Sequence, residues 1–241
     1  MCVFFGECNK VCEHSILAGM DMKEETRRLV IARRNAIPSD ERIARSEKAC
    51  EELERYFGHA VASGARIAVY HALGSEVDIA PFAKSARLHG WTCAFPVMMR
   101  DDNDAKARMT FWDVPLDGTR RAFFDKPARA VTPDDPSLAG CTPCNPREID
   151  AVIVPMVAFD AGNMRLGYGG GNYDRFLREL RSDAVVCGIA FREQEVEAVP
   201  TEPHDLALPK IIVAQTLEET ACLSVSSSVT NNSYAALLNR P

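Results

Sequence analysis

The stretch Ile149 to Phe176, IDAVIVPMVAFDAGNMRLGYGGGNYDRF, restricts this chain more than any other. Ala151 to Val154 is an unbroken apolar run, the pattern of a strand buried on both faces of a parallel sheet. Asp160-Ala161-Gly162-Asn163 reads as a turn, and Arg165, Gly167, Gly169, Gly170 and Gly171 follow in quick succession. A segment able to form a helix comes next, Tyr173 to Arg181. Strand, glycine loop and helix in this order make a cradle for phosphate. Glycines let the backbone approach an anion with its N–H groups, and the helix N-terminus adds a favourable dipole. Arg165 places a guanidinium at the loop entrance, and Asp174 a carboxylate at its exit, where a Mg²⁺ bridging phosphates could sit. A flexible surface turn would account for the glycines alone, but not for the buried strand and the charged residues on either side. The loop is no Walker A motif, because no Gly-Lys-Ser/Thr occurs, and it lacks the GxGxxG spacing of a dinucleotide fingerprint.

A chain of 241 residues, 46% hydrophobic, can bury one α/β core. Its net charge of −6 argues against a nucleic-acid surface, which needs a concentrated basic face. Positive charge is local instead: Lys23, Arg27, Arg28, Arg33 and Arg34 fall on one early helix, suited to a polyphosphate or polyglutamate tail or else simply solvated. Nine cysteines, an odd count among apolar neighbours, suit a reducing cytoplasm better than a disulfide framework. Cys141-Thr-Pro-Cys144 has no second pair, and Cys2, Cys8, Cys12 and His14 match no standard metal spacing. No run approaches the ~18 apolar residues of a membrane span, and the first twenty residues do not read as a signal peptide. Residues 1–21 read as an extension, 22–222 as the α/β domain, and 223–241 as a polar, disordered tail.

The periodicity predicts a helix over 22–37 with Leu29, Val30, Arg33 and Ile37 on one face, stopped by Pro38. Ser39 is expected to cap a second helix, with Ile43, Cys50, Leu53 and Phe57 inward and Gly58 ending it. Strands are expected at Arg66–Tyr70, Trp91–Phe95 (halted by Pro96), Met109–Trp112 (parallel or antiparallel to the rest), 151–154, Val185–Ala190 and Ile211–Ala214. A helix from Ile79 to His89, closed by Gly90, lies between the first two. Alternating strands and helices imply an open three-layer α/β/α sandwich with a mostly parallel sheet. Ligands in such sheets sit outside the carboxyl ends of the strands, so the loops at 71–78 and 158–172 converge on one crevice.

LGYGGGNYDRF resembles the signature of the 5-formyltetrahydrofolate cyclo-ligase, or methenyltetrahydrofolate synthetase, family. The matching pieces are Pro155, Phe159-Asp160, Arg165-Leu166-Gly167, Gly169, Gly171, Tyr173 and Asp174. Further pieces are Lys23 and Arg27, Glu76-Val77-Asp78, and Gln194, Pro200 and His204-Asp205. The likeness spans roughly residues 22–215 and is loosest over 100–148. It implies closure of 5-formyltetrahydrofolate to 5,10-methenyltetrahydrofolate, with ATP consumed to ADP and phosphate and Mg²⁺ as cofactor, by a cytoplasmic monomer whose partners are a reduced folate and ATP.

On that reading, Lys23, Arg27, Arg165 and the loop Leu166, Gly167, Tyr168, Gly169, Gly170, Gly171, Asn172 and Tyr173 hold ATP. Arg165 and Asp174 are the catalytic pair, and Asp174 and Asp205 ligate Mg²⁺. Glu76 resembles the folate-contacting glutamate, a carboxylate able to accept hydrogen bonds from pterin N–H groups. His71 falls at a folate-lining position often filled by an apolar residue, Tyr168 and Trp112 could stack on the pterin or benzoyl ring, and His204 could transfer a proton. The family's Tyr-Tyr-Asp is Asn172-Tyr173-Asp174 here, with Asn172 a suitable N-cap. The structural alternatives are that Asp174 merely favours a helix dipole, Asp205 sits in a turn, and Lys23 and Arg27 are solvated. Two other functions remain open: a same-fold ATP-dependent enzyme on another amide, and a non-catalytic folate- or nucleotide-binding protein.

Overall fold

The β-branched run AVIVP forms the centre of the molecule because both its faces are covered. Ala151 and Ile153 enter one apolar cluster while Val152 and Val154 enter another. The structure, a computed structural model, describes residues 22–100, 106–115, 124, 126–202 and 205–216. Its strands are β1 (Arg66–Ala68), β2 (Thr92–Met99), β3 (Arg108–Asp113), β4 (Ala130–Val131), β5 (Thr142–Cys144) and β6 (Ala151–Pro155), then β7 (Ala158–Phe159), β8 (Arg165–Leu166), β9 (Val185–Phe191) and β10 (Ile211–Ala214). Among the described residues the main sheet runs β10-β9-β6-β1-β2-β3-β5, with β4 beside β2. It is parallel from β10 to β2 and antiparallel at β3 and β5, while β7 and β8 form a separate antiparallel hairpin.

Helices cover both faces, giving the expected three layers. On one face lie α2 (Ser39–Ala60), through Ala49, Cys50, Leu53 and Phe57, and the short α3 (Ala80–Ser85), through Phe82 and Ala83. On the other lies α4 (Asn172–Glu179), whose Phe176 ring packs 4.3 Å from that of Phe111. The first helix, α1 (22–36), lays Val30 against Val157, Ala158 and Leu166 beside the β7–β8 hairpin. Arg45 is 0% exposed within this packing. Its guanidinium donates to Glu193 at 2.8 and 2.7 Å and to the Ala214 carbonyl at 2.7 Å, and lies over the Phe191 ring. Burial works against the charge, yet Glu193 and Glu41 hold the Arg45 pKa above its ordinary value.

Several boundaries differ from expectation. The buried stripe of α1 is Val30, Arg34 and Ile37; Leu29 is 43% exposed and Arg33 points outward. In α2, Ile43 is 61% exposed and Arg45 and Ser46 lie inside instead, because ion pairing makes a buried cation tolerable. Pro38, not Ser39, is the N-cap of α2, and the helix passes through Gly58 to Ala60. The expected 79–89 helix is α3 followed by a 3₁₀ turn, Ala86–His89, which Gly90 does close at φ 73°. β1 stops at Ala68, short of Tyr70. Pro96 does not halt β2. The Val69 N–H meets the Ala94 carbonyl where β1 ends, so by strand alternation Pro96 turns its nitrogen to a side with no partner to lose.

Candidate active site

β1 and β6 are neighbours, Ile67 opposite Ala151, so the loops leaving their carboxyl ends emerge side by side. They frame a cleft of about 850 Å³. After β6 the chain turns through the β7–β8 hairpin. At its tip Asp160 Oδ1 accepts the Gly162 and Met164 N–H groups at 2.9 and 3.1 Å, with Asn163 at φ 61°. Asp160 Oδ2 accepts the Val199 N–H at 3.0 Å, tying the tip to the chain beyond β9. The glycine loop Gly167–Gly171 then runs along the cleft into α4, with Gly169 at φ 94° and Gly171 at φ 61°.

Gly171, not Asn172, is the N-cap of α4, and α4 ends at Glu179 rather than Arg181. A glycine in the left-handed region turns the chain into the helix without a side-chain cap. Asn172 is the first helical residue, and its Oδ1 accepts from Arg175 Nη2 at 2.7 Å. The same Arg175 nitrogen donates to the Gly170 carbonyl at 3.0 Å, a clasp on the loop that sequence reasoning missed.

Among the described residues three cations line the cleft, and each meets an acceptor. Arg27 Nε donates to the Gly167 carbonyl at 2.9 Å and Nη1 to Glu24 at 3.1 Å. Lys23 Nζ donates to Glu202 at 2.9 Å and to Asp205 at 3.2 Å. Burial opposes the Lys23 charge, but those two carboxylates carry its pKa above the ordinary value. Arg165 donates to Asp174 and, through Nη1, to the Leu206 carbonyl at 3.3 Å. These cations are held where a phosphate would meet them together with the loop backbone.

The loop after β1 supplies a different chemistry. Glu76 is buried, accepts the Leu73 N–H at 2.8 Å through Oε2, and lies 3.9 Å from Arg34 Nη1. Its Oε1 and the Tyr173 hydroxyl are buried with no hydrogen-bond partner among the described residues. Burial pushes the Glu76 carboxyl up, against the pull of the Leu73 N–H, Arg34 and the Tyr168 hydroxyl. Orphaned polar atoms of this kind are costly unless a ligand completes them. His71 stacks on Phe95 at 5.0 Å and packs on Phe124 at 4.4 Å, and burial lowers its pKa to about 4. It thus faces the cleft as a neutral aromatic plate.

Lys23, Arg27, His71, Glu76, Arg165 to Asp174 and Asp205 all line the one cleft. Trp112 does not. Along β3, Met109 and Phe111 face the second cluster, so Trp112 points the opposite way, packs on the first and bonds Thr110 Oγ1 at 3.0 Å. His204 lies outside the described residues, as do the two terminal segments. Arg34 was grouped with the surface cations, yet it is 2% exposed. The signal was available: Lys23, Arg27, Val30 and Arg34 recur at the spacing of one helix face.

Among the described residues no group of three or more His, Cys, Asp or Glu side chains could hold a metal. Mg²⁺ needs fewer, because it keeps waters and shares phosphate oxygens with one or two carboxylates. Asp174, half exposed, meets Arg165 through Oδ1, which leaves its other oxygen able to meet such an ion. Asp205 is committed through Oδ2 to Lys23 and to the Glu202 N–H at 2.8 Å. The donors therefore fit a phosphate-borne Mg²⁺ on Asp174, and fit a resident all-protein metal poorly.

A glycine loop and tethered cations at the carboxyl ends of parallel strands place this chain among α/β proteins with a cleft at that edge of the sheet. The model of the 5-formyltetrahydrofolate cyclo-ligase family matches residues 19–214, and the chain belongs to that family. The 5-formyltetrahydrofolate cyclo-ligase of Haemophilus influenzae is 43% identical over 67 residues, 27% of this chain and 36% of that protein. That of Escherichia coli K12 is 42% identical over 65 residues, with 27% and 36% covered. These matches span about a third of the curated relatives' length. In fold the chain is similar to a 5,10-methenyltetrahydrofolate synthetase from Mycoplasma pneumoniae, with a TM-score of 0.59 at 23% identity, covering 79% of this chain and 97% of that one. The Aquifex aeolicus 5,10-methenyltetrahydrofolate synthetase gives 0.56 at 23% identity, covering 80% and 90%.

Proposed function

We propose that the protein is an ATP- and Mg²⁺-dependent ligase that closes 5-formyltetrahydrofolate to 5,10-methenyltetrahydrofolate and releases ADP and phosphate. One observation carries this reading. A single cleft joins a glycine loop and three cations to a buried carboxylate with an unbonded oxygen. Lys23 and Asp205, Asp174 and the cytoplasmic, monomeric setting belong to the same proposal.

The formyl oxygen is a poor leaving group. Phosphorylation by ATP turns it into one, the neighbouring nitrogen attacks the resulting iminium-like carbon, and phosphate departs. Phosphoryl transfer asks a protein mainly for positioning and charge neutralisation. Arg165, Lys23, Arg27 and the N–H groups of Gly167–Gly171 would hold the phosphates, and Asp174 would hold Arg165 in place. Asp174 would hold Mg²⁺, whose charge would help neutralise the phosphates. Glu76 would accept the pterin's N–H groups, with His71 and Tyr168 offering aromatic surface beside it.

Purified protein mixed with 5-formyltetrahydrofolate, ATP and Mg²⁺ should develop the near-ultraviolet absorbance of the methenyl product, with one ADP per turnover. Tight binding of both ligands without turnover would leave a binding protein. ATP binding without folate binding would redirect the search to another amide substrate.

A further inference from the structure

We propose that Arg34 is a positioning residue that ties the Glu76 loop to the glycine loop, so that nucleotide and folate bind cooperatively. This rests on the function proposed above and adds a residue that does not line the cleft.

Arg34 spreads its guanidinium between the two loops. Nε donates to Ser75 Oγ at 2.9 Å, Nη2 donates to the Tyr168 hydroxyl at 2.8 Å, and Nη1 lies 3.9 Å from Glu76 Oε1. Ser75 Oγ donates onward to Asn35 Oδ1 at 2.5 Å, so the 73–76 loop is also pinned to α1. Ser75 and Glu76 are buried along with Arg34. A planar guanidinium presents its N–H groups in a fixed fork that spans separated partners, whereas an ammonium is a compact point charge whose donors rotate.

Tyr168 makes the arrangement more than a structural tie. It stands between Gly167 and Gly169, inside the segment that would receive phosphate, while its hydroxyl is bonded to Arg34. A shift of the loop backbone on anion binding therefore reaches Arg34, and through it Ser75 and Glu76. Conversely, a ligand that completes Glu76 Oε1 fixes Arg34 and so fixes Tyr168. Both ligands bias one shared arrangement, the condition for thermodynamic coupling, and the effect must be reciprocal.

The test titrates 5-formyltetrahydrofolate calorimetrically, with and without a non-hydrolysable ATP analogue and Mg²⁺. In the wild-type protein the nucleotide should tighten folate binding by about 5-fold or more. In Tyr168→Phe, which removes only a hydroxyl, the tightening should fall to less than about twofold, and Arg34→Met should match it. Arg34→Lys should not restore it. A second arm needs no ligand. Amide exchange should rise at 73–76 in Tyr168→Phe and at 167–171 in Ser75→Ala, each change being read in the opposite loop. Wild-type-like tightening in Tyr168→Phe, absence of tightening in the wild type, or exchange confined to the mutated loop would each overturn the positioning role. Wild-type protein that binds neither ligand would sink the proposed function, while the exchange arm would still decide the tie.

Discussion

The Arg27 guanidinium sits 3.3 Å from the point where a Cβ on Gly169 would stand. The helix and the glycine loop are thus fitted backbone to cation, and Gly169 is also at φ 94°, a region L side chains rarely adopt. Gly169→Ala should strain the backbone by roughly 1–3 kcal/mol and crowd the Arg27 guanidinium, which must give way slightly. ATP affinity should fall about tenfold or more, with the folate affinity measured alone much less affected. Titration of each ligand separately checks this, and equal losses would mean general damage to the fold.

Glu76→Gln keeps the size but sets an amide donor against the pterin's donors, and it leaves Arg34 without its carboxylate. A buried mismatch costs on the order of 1–3 kcal/mol, so folate affinity should drop at least about tenfold while ATP affinity holds. Unchanged folate affinity would move the folate site elsewhere.

Asp174→Asn should remove most turnover, with folate binding retained and partial recovery at high Mg²⁺, since it keeps the shape but loses the charge. Asp205→Asn should act more mildly, because its carboxylate is committed to Lys23. If the two share one ion, the double mutant will be less than additive. Full and independent effects, indifferent to added metal, would reduce Asp174 to a clamp on Arg165.

His71 carries a pH signature. Its pKa falls from 6.5 to about 4 on burial, so between those values the unfolded chain binds a proton that the folded one does not. The associated stability is therefore present above pH 6.5 and is lost as pH falls toward 4. From pH 7 to pH 5 this one group should cost about 2 kcal/mol. Urea midpoints of wild type and His71→Phe should lie closest at pH 7 and diverge as pH falls to 5, the wild type losing stability that the variant keeps, and parallel curves would mean that His71 is not the group responsible.

Arg45→Met should destabilise the protein by about 2–4 kcal/mol, because it strips the Ala214 carbonyl of its donor and leaves Glu193 uncompensated. Thermal melts would show it, and initial rates measured well below the melt should stay near wild type. A melt shift under about 2 °C would make the buried cation dispensable.

Much of the site is local in sequence, and those parts were legible. The apolar run 151–155 and the glycines that follow declare strand and loop within a few residues, and β10 matches its expected bounds, Ile211–Ala214. What escaped depends on partners far along the chain. Arg34 read as a surface cation, and nothing in the local pattern singled out Arg45, because the groups that make their burial tolerable lie 41 and 148 residues away. Trp112 was misjudged by parity: one residue of offset along β3 separates the cleft side from the first cluster. Asn172 looked like a cap by residue type, but the left-handed Gly171 had already made the turn.

The cations of the cleft are Lys23, Arg27 and Arg165, and its carboxylates are Glu24, Glu76, Asp174, Glu202 and Asp205. Among the described residues the lining is therefore formally negative, as is the whole chain at −6. Among the described residues such a lining offers no excess of positive formal charge with which to steer polyanions from a distance. Selection must happen at contact, where an incoming group trades places with an internal carboxylate.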